Sequence, residues 1–148
     1  MIKILNCLIP VHLERLGLSE TLNELITRAS KTTNIQFILD IEAVENIFPV
    51  EKELTIYRIV QEALNNILKH SEANNASIAL SRGKKFYLLE IDDDGKGFDA
   101  TNPAVQRGFG LANIVNRVDL LNGKLKISTE PGKGTNIKIY IPFGDNNE

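Results

Sequence analysis

The sequence is short of the features that announce a specialised class. It has a single cysteine, Cys7, and no tryptophan. A lone thiol cannot close an internal disulfide, which excludes the disulfide-stapled scaffolds and fits a reducing compartment. No block of basic residues stands out and the formal net charge is -2, so electrostatics give a nucleic-acid partner no support. Long apolar runs are also missing. Residues 1–10 are apolar only in part, are interrupted by Asn6, and carry no small-residue cleavage site; they suit neither a membrane span nor a secretory leader. Repeats, low-complexity tracts and an obvious linker are absent. What remains is 148 residues, 43% hydrophobic and 24% charged, the balance of one ordinary globular domain that buries roughly 70% of its unfolded surface. The chain is expected to be cytoplasmic and to make no membrane contact.

The pattern along the chain predicts an order of elements. Residues 1–17 read as a mixed lead-in ending at Leu16-Gly17-Leu18, and Ser19 as the N-cap of a first helix. Leu18, Leu22, Leu25, Ile26 and Ala29 recur at helical spacing to about residue 31. A strand over 35–41 and a loop over 42–50, containing Pro49, precede a longer helix over 51–70 with a stripe of Ile56, Ile59, Val60, Ala63, Leu64 and Ile67. Residues 77–81 and 86–92 read as a hairpin around Arg82-Gly83-Lys84. Residues 95–107 read as a polar, glycine-rich loop, 110–121 as a third helix, and the rest as two strands joined by Pro131-Gly132-Lys133-Gly134. The fold class expected is an α/β (α+β) two-layer sandwich, about three helices on one face of a mixed, mostly antiparallel sheet.

Four elements could carry chemistry. On the 51–70 helix, Glu62, Asn66 and Lys69 stand at i, i+4 and i+7. An amide oxygen is a hard ligand for magnesium, a lysine balances phosphate charge, and a carboxylate can orient or deprotonate a nucleophile. Taken alone, this face reads more readily as a solvated polar stripe. Asp93, Gly95 and Gly97 follow an apolar strand directly. A carboxylate at a strand end can accept from a purine amine, and glycine lets backbone approach a flat ring; a bare turn is the competing reading. A calcium loop fails, because it would put Thr101 where a bidentate glutamate is needed. A dinucleotide turn fails too, because Asp99-Ala100-Thr101-Asn102-Pro103 does not look like the start of a helix. Gly108, Gly110 and Leu111 open the third helix, whose N-terminus favours a polyphosphate, or is only a glycine cap. Thr135, after Gly134, could reinforce a contact at Asp93.

The order of these elements resembles a known superfamily. Glu62-Ala63-Leu64-Asn65-Asn66-Ile67-Leu68-Lys69-His70 looks like the N box of the GHKL (Bergerat-fold) ATPases. Asp93-x-Gly95-x-Gly97 and Gly108-x-Gly110-Leu111 look like its two glycine boxes, and Gly134-Thr135 its last adenine-side element. Tyr57-Arg58-Ile59-Val60-Gln61-Glu62-Ala63-Leu64, with Leu13-Glu14-Arg15-Leu16-Gly17-Leu18 upstream, resembles sensor histidine kinases of the nitrate- and desaturase-sensor type. The resemblance implies ATP held between the helices and a mobile lid. Asn66 would ligate magnesium, Asp93 would bind the adenine amine, and Lys69, His70 and the Gly108-to-Leu111 turn would serve the phosphates. Glu62 matches the base or water-orienting position of hydrolysing relatives.

The resemblance also implies what the residues do not supply. Such a kinase has a dimerisation hairpin with a phosphoacceptor histidine, and a response regulator acts downstream. The two histidines here, His12 in the lead-in and His70 in the N box, suit that acceptor role poorly. Residues 1–17 are therefore read as the tail of a linker after such a hairpin, 18–143 as the catalytic domain, and 144–148 as a C-terminal tail. The alternative is a free-standing regulator similar to the anti-sigma-factor serine kinases of the same superfamily.

Overall fold

Alternation along the strands decides the architecture. In the computed structural model, which describes residues 2–42 and 47–143 (backbone only for 2–12 and 14), five strands form one sheet. They are β1 (Gln36–Ile41), β2 (Asn75–Arg82), β3 (Phe86–Asp93), β4 (Lys124–Thr129) and β5 (Thr135–Pro142), in the order β1-β2-β3-β5-β4. β1 and β2 run parallel and the other pairs antiparallel. Because side chains alternate across a strand, Ala76, Ile78 and Leu80 of β2 share one face with Leu89, Ile91 and Asp93 of β3 and with Ile137, Ile139 and Ile141 of β5. All are buried. Register matches them in rows: Leu80 to Leu89 to Ile139, and Ile78 to Ile91 to Ile137. The last row is Ala76 to Asp93 to Thr135. A carboxylate thus occupies the end of an otherwise apolar stripe.

Helices cover that face. α1 (Ile2–Ser30) and α2 (Val50–Asn66) pack together, and α2 also carries the short α4 (Leu111–Leu120). Leu18 and Leu22 of α1, Ile56, Ile59 and Val60 of α2, and Ile114 and Val118 of α4 are at most 2% exposed. α2 starts after Pro49 with Glu51 and Glu53 in its first turn, where carboxylates oppose the helix dipole favourably. The parallel β1–β2 pair requires a crossover, and α2 is that crossover.

The sheet and its covering helices agree with the sequence reading, while four local expectations change. The lead-in is helical: α1 begins at Ile2 and is kinked at Gly17, whose φ of 82° and ψ of 167° are open to glycine and little else. The glycine absorbs the break that ends the expected lead-in, and Leu13 on its far side still reaches the core. Ser19 is not an N-cap: it lies inside α1 with its buried hydroxyl unpartnered among the described residues, and Thr21 Oγ1 instead donates to the Gly17 carbonyl at 2.7 Å. The helix over 51–70 is α-helical only to Asn66, after which Ile67–Ser71 forms one π-helical turn. Residues 95–107 are not all loop, since Pro103–Gly108 forms α3, capped by Asn102 Oδ1 accepting from the Ala104 N–H at 2.9 Å. Residues 43–46 of the expected 42–50 loop, the 144–148 tail, and the side chains of Cys7 and His12 lie outside the described residues.

Leu89 is fully buried at the centre of the sheet. Leu89→Ala should cost about 2–5 kcal/mol of stability through lost transfer energy and an unfilled cavity. Urea denaturation with an unchanged m value would show it.

Candidate functional site

Three successive aspartates at the end of β3 have three different surroundings. Asp92 faces away from the helices, where Asn136 Nδ2 donates to it at 3.0 Å and to Glu90 at 2.7 Å. Asp94 is exposed and accepts from the backbone N–H groups of Asn74 and Asn75 and from Asn75 Nδ2, each at 2.9 Å. The Asn75 side-chain bond, then the backbone ones, hold its carboxyl below the usual range. Asp93 points under the helices and is 8% exposed. Burial pushes its carboxyl above the usual range. The Gly95 N–H, donating to Oδ1 at 2.9 Å, works against that, and Asp92 and Asp94 add to it.

Peptide backbone closes around Asp93. A Cβ at Gly95 would overlap the Ser71 carbonyl, one at Gly97 the Glu130 carbonyl, and one at Gly134 the carbonyl of Asp93 itself. Gly97 and Gly134 also have φ of 62° and 72°, where any other residue is strained. The Lys96 N–H donates to Ser71 O at 2.8 Å, the Gly132 N–H to Lys96 O at 2.6 Å, and the Phe98 N–H to Thr129 Oγ1 at 3.1 Å. The first glycine turn was expected to clear space for a ring. These glycines admit the protein's own backbone and so fix where Asp93 points, and Gly97 also lines the cleft.

The cleft beneath this turn gathers Asn66, His70, Asp93, Gly97, Leu111 and Thr135, walled by Ala63, Ile67, Ile91 and Ile137. Thr135 stands opposite Asp93 in the sheet, but its hydroxyl lies 3.0 Å from that of Thr129 rather than bonding Asp93. Glu62, Lys69, Gly95, Gly108 and Gly110, all expected at the site, stay out of the cleft lining. Lys69 is exposed: an i, i+7 spacing keeps one face only in an α-helix, and the wider π turn presents His70 to the cleft instead. Glu62 packs under Gly110, where its carboxylate would collide with any Cβ, and lies 3.9 Å from Arg117 Nη1. It thereby sits near the N-terminus of α4, where a negative charge is favourable. Gly108 is the exception among these glycines, having neither positive φ nor any atom within 4 Å of a built Cβ. Nothing within the chain requires a glycine there.

Two aromatic residues were missed by the sequence reading. The Phe109 ring stacks on Phe98 at 4.2 Å and on His70 at 4.5 Å, inside the same cleft. Each phenylalanine adjoins a turn glycine in a chain with only 6% aromatics, which was the available signal. Asn66 Nδ2 donates to the Phe109 carbonyl at 2.7 Å, which leaves the amide oxygen as the side chain's acceptor. That donor set fits a magnesium ion held chiefly by phosphate and water. Among the described residues no cluster of three carboxylate, histidine or cysteine side chains could hold a metal by itself.

Residues 51–145 match the model of the histidine kinase-, DNA gyrase B- and HSP90-like ATPases. The chain belongs to that family. It is 36% identical over 131 residues to the signal transduction histidine-protein kinase/phosphatase DegS of Brevibacillus brevis, covering 88% of this chain and 34% of that protein. For DegS of Bacillus subtilis the identity is 34% over 139 residues, covering 90% and 36%. The chain thus spans about a third of the length of these curated relatives. The histidine kinase domain of the Erythrobacter litoralis EL346 blue-light activated kinase shares the fold. Its TM-score is 0.74 at 22% identity, over 85% of this chain and 61% of that one.

Asp93→Asn separates stability from binding. Because burial raises the carboxyl's pKa, the folded state is penalised once pH rises through that raised value, and asparagine removes the penalty while still accepting from Gly95. The variant should melt higher than wild type at pH 7, with the advantage shrinking as pH falls below the carboxylate range. ATP binding should weaken by about 1.5–3 kcal/mol, roughly ten- to hundred-fold. Melting curves over pH and calorimetric titration check the two halves.

Proposed function

We propose that this domain binds ATP with the adenine amine against Asp93 and passes the γ-phosphoryl group to a histidine carried by a separate dimerisation domain of the same kinase, ahead of a response regulator. The observation that carries the reading is the buried, inward-facing carboxylate of Asp93 in the lining of a largely apolar cleft. Such a group is costly unless something donates to it, and an exocyclic amine is such a donor. Gly108, open on all sides at the approach to α4, supports a polyphosphate near that helix N-terminus.

In this reading the Asn66 amide oxygen would hold magnesium together with the phosphates, and a bound ion would supply charge stabilisation at the γ-phosphoryl oxygens. Lys69 is exposed at the rim, where it balances phosphate charge from solvent rather than from the cleft. Transfer breaks the bond from the γ-phosphorus to the β–γ bridging oxygen and forms a nitrogen–phosphorus bond, with ADP as the leaving group. The domain contributes positioning and charge stabilisation. Glu62 is held by Arg117 and Gly110; its contribution in this reading is to keep α2 and the α4 N-terminus in register, and beside the γ-phosphate to orient the acceptor. Of the two histidines, His70 stacks in the cleft, so the acceptor comes from outside the domain. Residues 1–17 form the end of the connection to it. No described helix is long and apolar enough to cross a membrane, in keeping with a cytoplasmic site of action.

With a matching histidine-bearing helical hairpin added, the domain and MgATP should yield an acid-labile phosphohistidine on the hairpin. Transfer to a serine, or none with any such hairpin, would contradict the proposal. Asn66→Ala should remove the magnesium-dependent part of ATP binding and leave the magnesium-free part nearly intact. Equal loss with and without magnesium would reassign that side chain.

A further inference from the structure

The nucleotide cleft already contains a flat ring. Phe109 lies between His70 and Phe98, with centroid distances of 4.5 and 4.2 Å and interplanar angles of 36° and 27°. The Phe98 pair is stacked and the His70 pair tilted, both at separations that aromatic pairs favour. With Phe109 in place the cleft retains about 20 Å³, room for roughly one water molecule and far too little for a purine.

The same residue occupies a second group. Its carbonyl takes the 2.7 Å hydrogen bond from Asn66 Nδ2, which pins the turn to α2 while the ring is in the slot and leaves the Asn66 amide oxygen open. Phe109 follows α3 directly, its N–H bonding the Val105 carbonyl at 3.0 Å. Glycines flank it on both sides. A Cβ built at Gly108 meets nothing within 4 Å, so the backbone before Phe109 can turn without a side-chain clash, while Gly110, at a φ of 61° against the Glu62 carboxylate, anchors the far side.

We propose that Phe109 is a resident stand-in for the nucleobase: it competes with ATP for the slot between His70 and Phe98. The inference rests on the ATP reading above. It adds Phe98 and His70 as the two walls of the base slot. ATP affinity is then lowered by the fraction of molecules with the ring seated.

The test uses Phe109→Ala, which removes the ring and keeps the carbonyl that Asn66 bonds, with Phe109→Leu as a bulk-preserving second variant. ATP should bind about three- to ten-fold tighter to Phe109→Ala, the scale of one aromatic pair, and associate faster in stopped flow. Phe109→Leu should fall between it and wild type. In the nucleotide-free protein the ring protons of His70, one of two histidines, should carry the upfield ring-current shift of a stacked phenyl in wild type and lose it in both variants. Should the alanine variant fail to melt cooperatively, the leucine variant carries the same two readouts. Unchanged or weaker ATP binding to a folded variant overturns the proposal, because a ring that stacks on the bound base would be missed when removed. A His70 signal unaffected by the substitution overturns it too. If neither wild type nor variant binds ATP, the ATP reading falls and the competition with it, while His70 still reports separately whether Phe109 occupies the slot.

Discussion

Peptide backbone closing on peptide backbone at the end of β3 is the constraint on which the site depends. Three carbonyls, from Ser71, Glu130 and Asp93, occupy the places where side chains at Gly95, Gly97 and Gly134 would begin. Each contact brings a different element to one point: the π turn that ends α2, the β4–β5 turn, and β3 itself. With those elements locked, the alternation of β3 leaves Asp93 no direction but inward, between Ala76 and Thr135. A side chain at Gly95 would push the strand end from the helix end, and one at Gly97 or Gly134 would push the β4–β5 turn from the end of β3.

The buried carboxylate is then a stored cost with a purpose. Burial opposes its ionisation and a single N–H from Gly95 offsets that in part, so its acceptor capacity is kept for something that enters the cleft. Asp92 and Asp94, one residue away on either side, are satisfied by asparagines and backbone. Three chemically identical side chains are thus divided between sheet surface, site and turn by nothing more than strand alternation and the first residue beyond the strand. A similar division separates Glu62 from Asn66. One turn apart on α2, the first braces α4 through Gly110 and Arg117 while the second reaches the cleft.

The sheet, its mixed pairing and the covering helices were legible because they follow from periodicity, which local sequence carries directly. Asp93, Asn66 and Thr135 were legible as an ordered set, since each sits at a recognisable element boundary. Other features depend on tertiary contacts that no short window contains. The π turn is invisible to a heptad-like count, so Lys69 was put on the same face as Glu62 and Asn66 when it is His70 that enters the cleft. Residues 1–17 read as a lead-in, although Gly17 needs only an unusual backbone pair to let a helix continue past it. The first-turn glycines were assigned to a ligand when backbone fills their space. Phe98 and Phe109 passed as ordinary apolar residues because only the folded turn brings them against His70.

The central claim is that the Asp93 cleft selects adenine. Thermal unfolding of this domain with MgATP or MgGTP at equal millimolar concentration tests it most directly. A ligand present at about a hundred times its dissociation constant stabilises by about 2.7 kcal/mol, several degrees of melting temperature for a domain of this size. That rise is expected with MgATP, little or none with MgGTP, and a fall to about 0.4–1.4 kcal/mol in Asp93→Asn, as a ten- to hundred-fold weaker affinity leaves. Equal protection by the two nucleotides, or protection by ATP undiminished in Asp93→Asn, would contradict it.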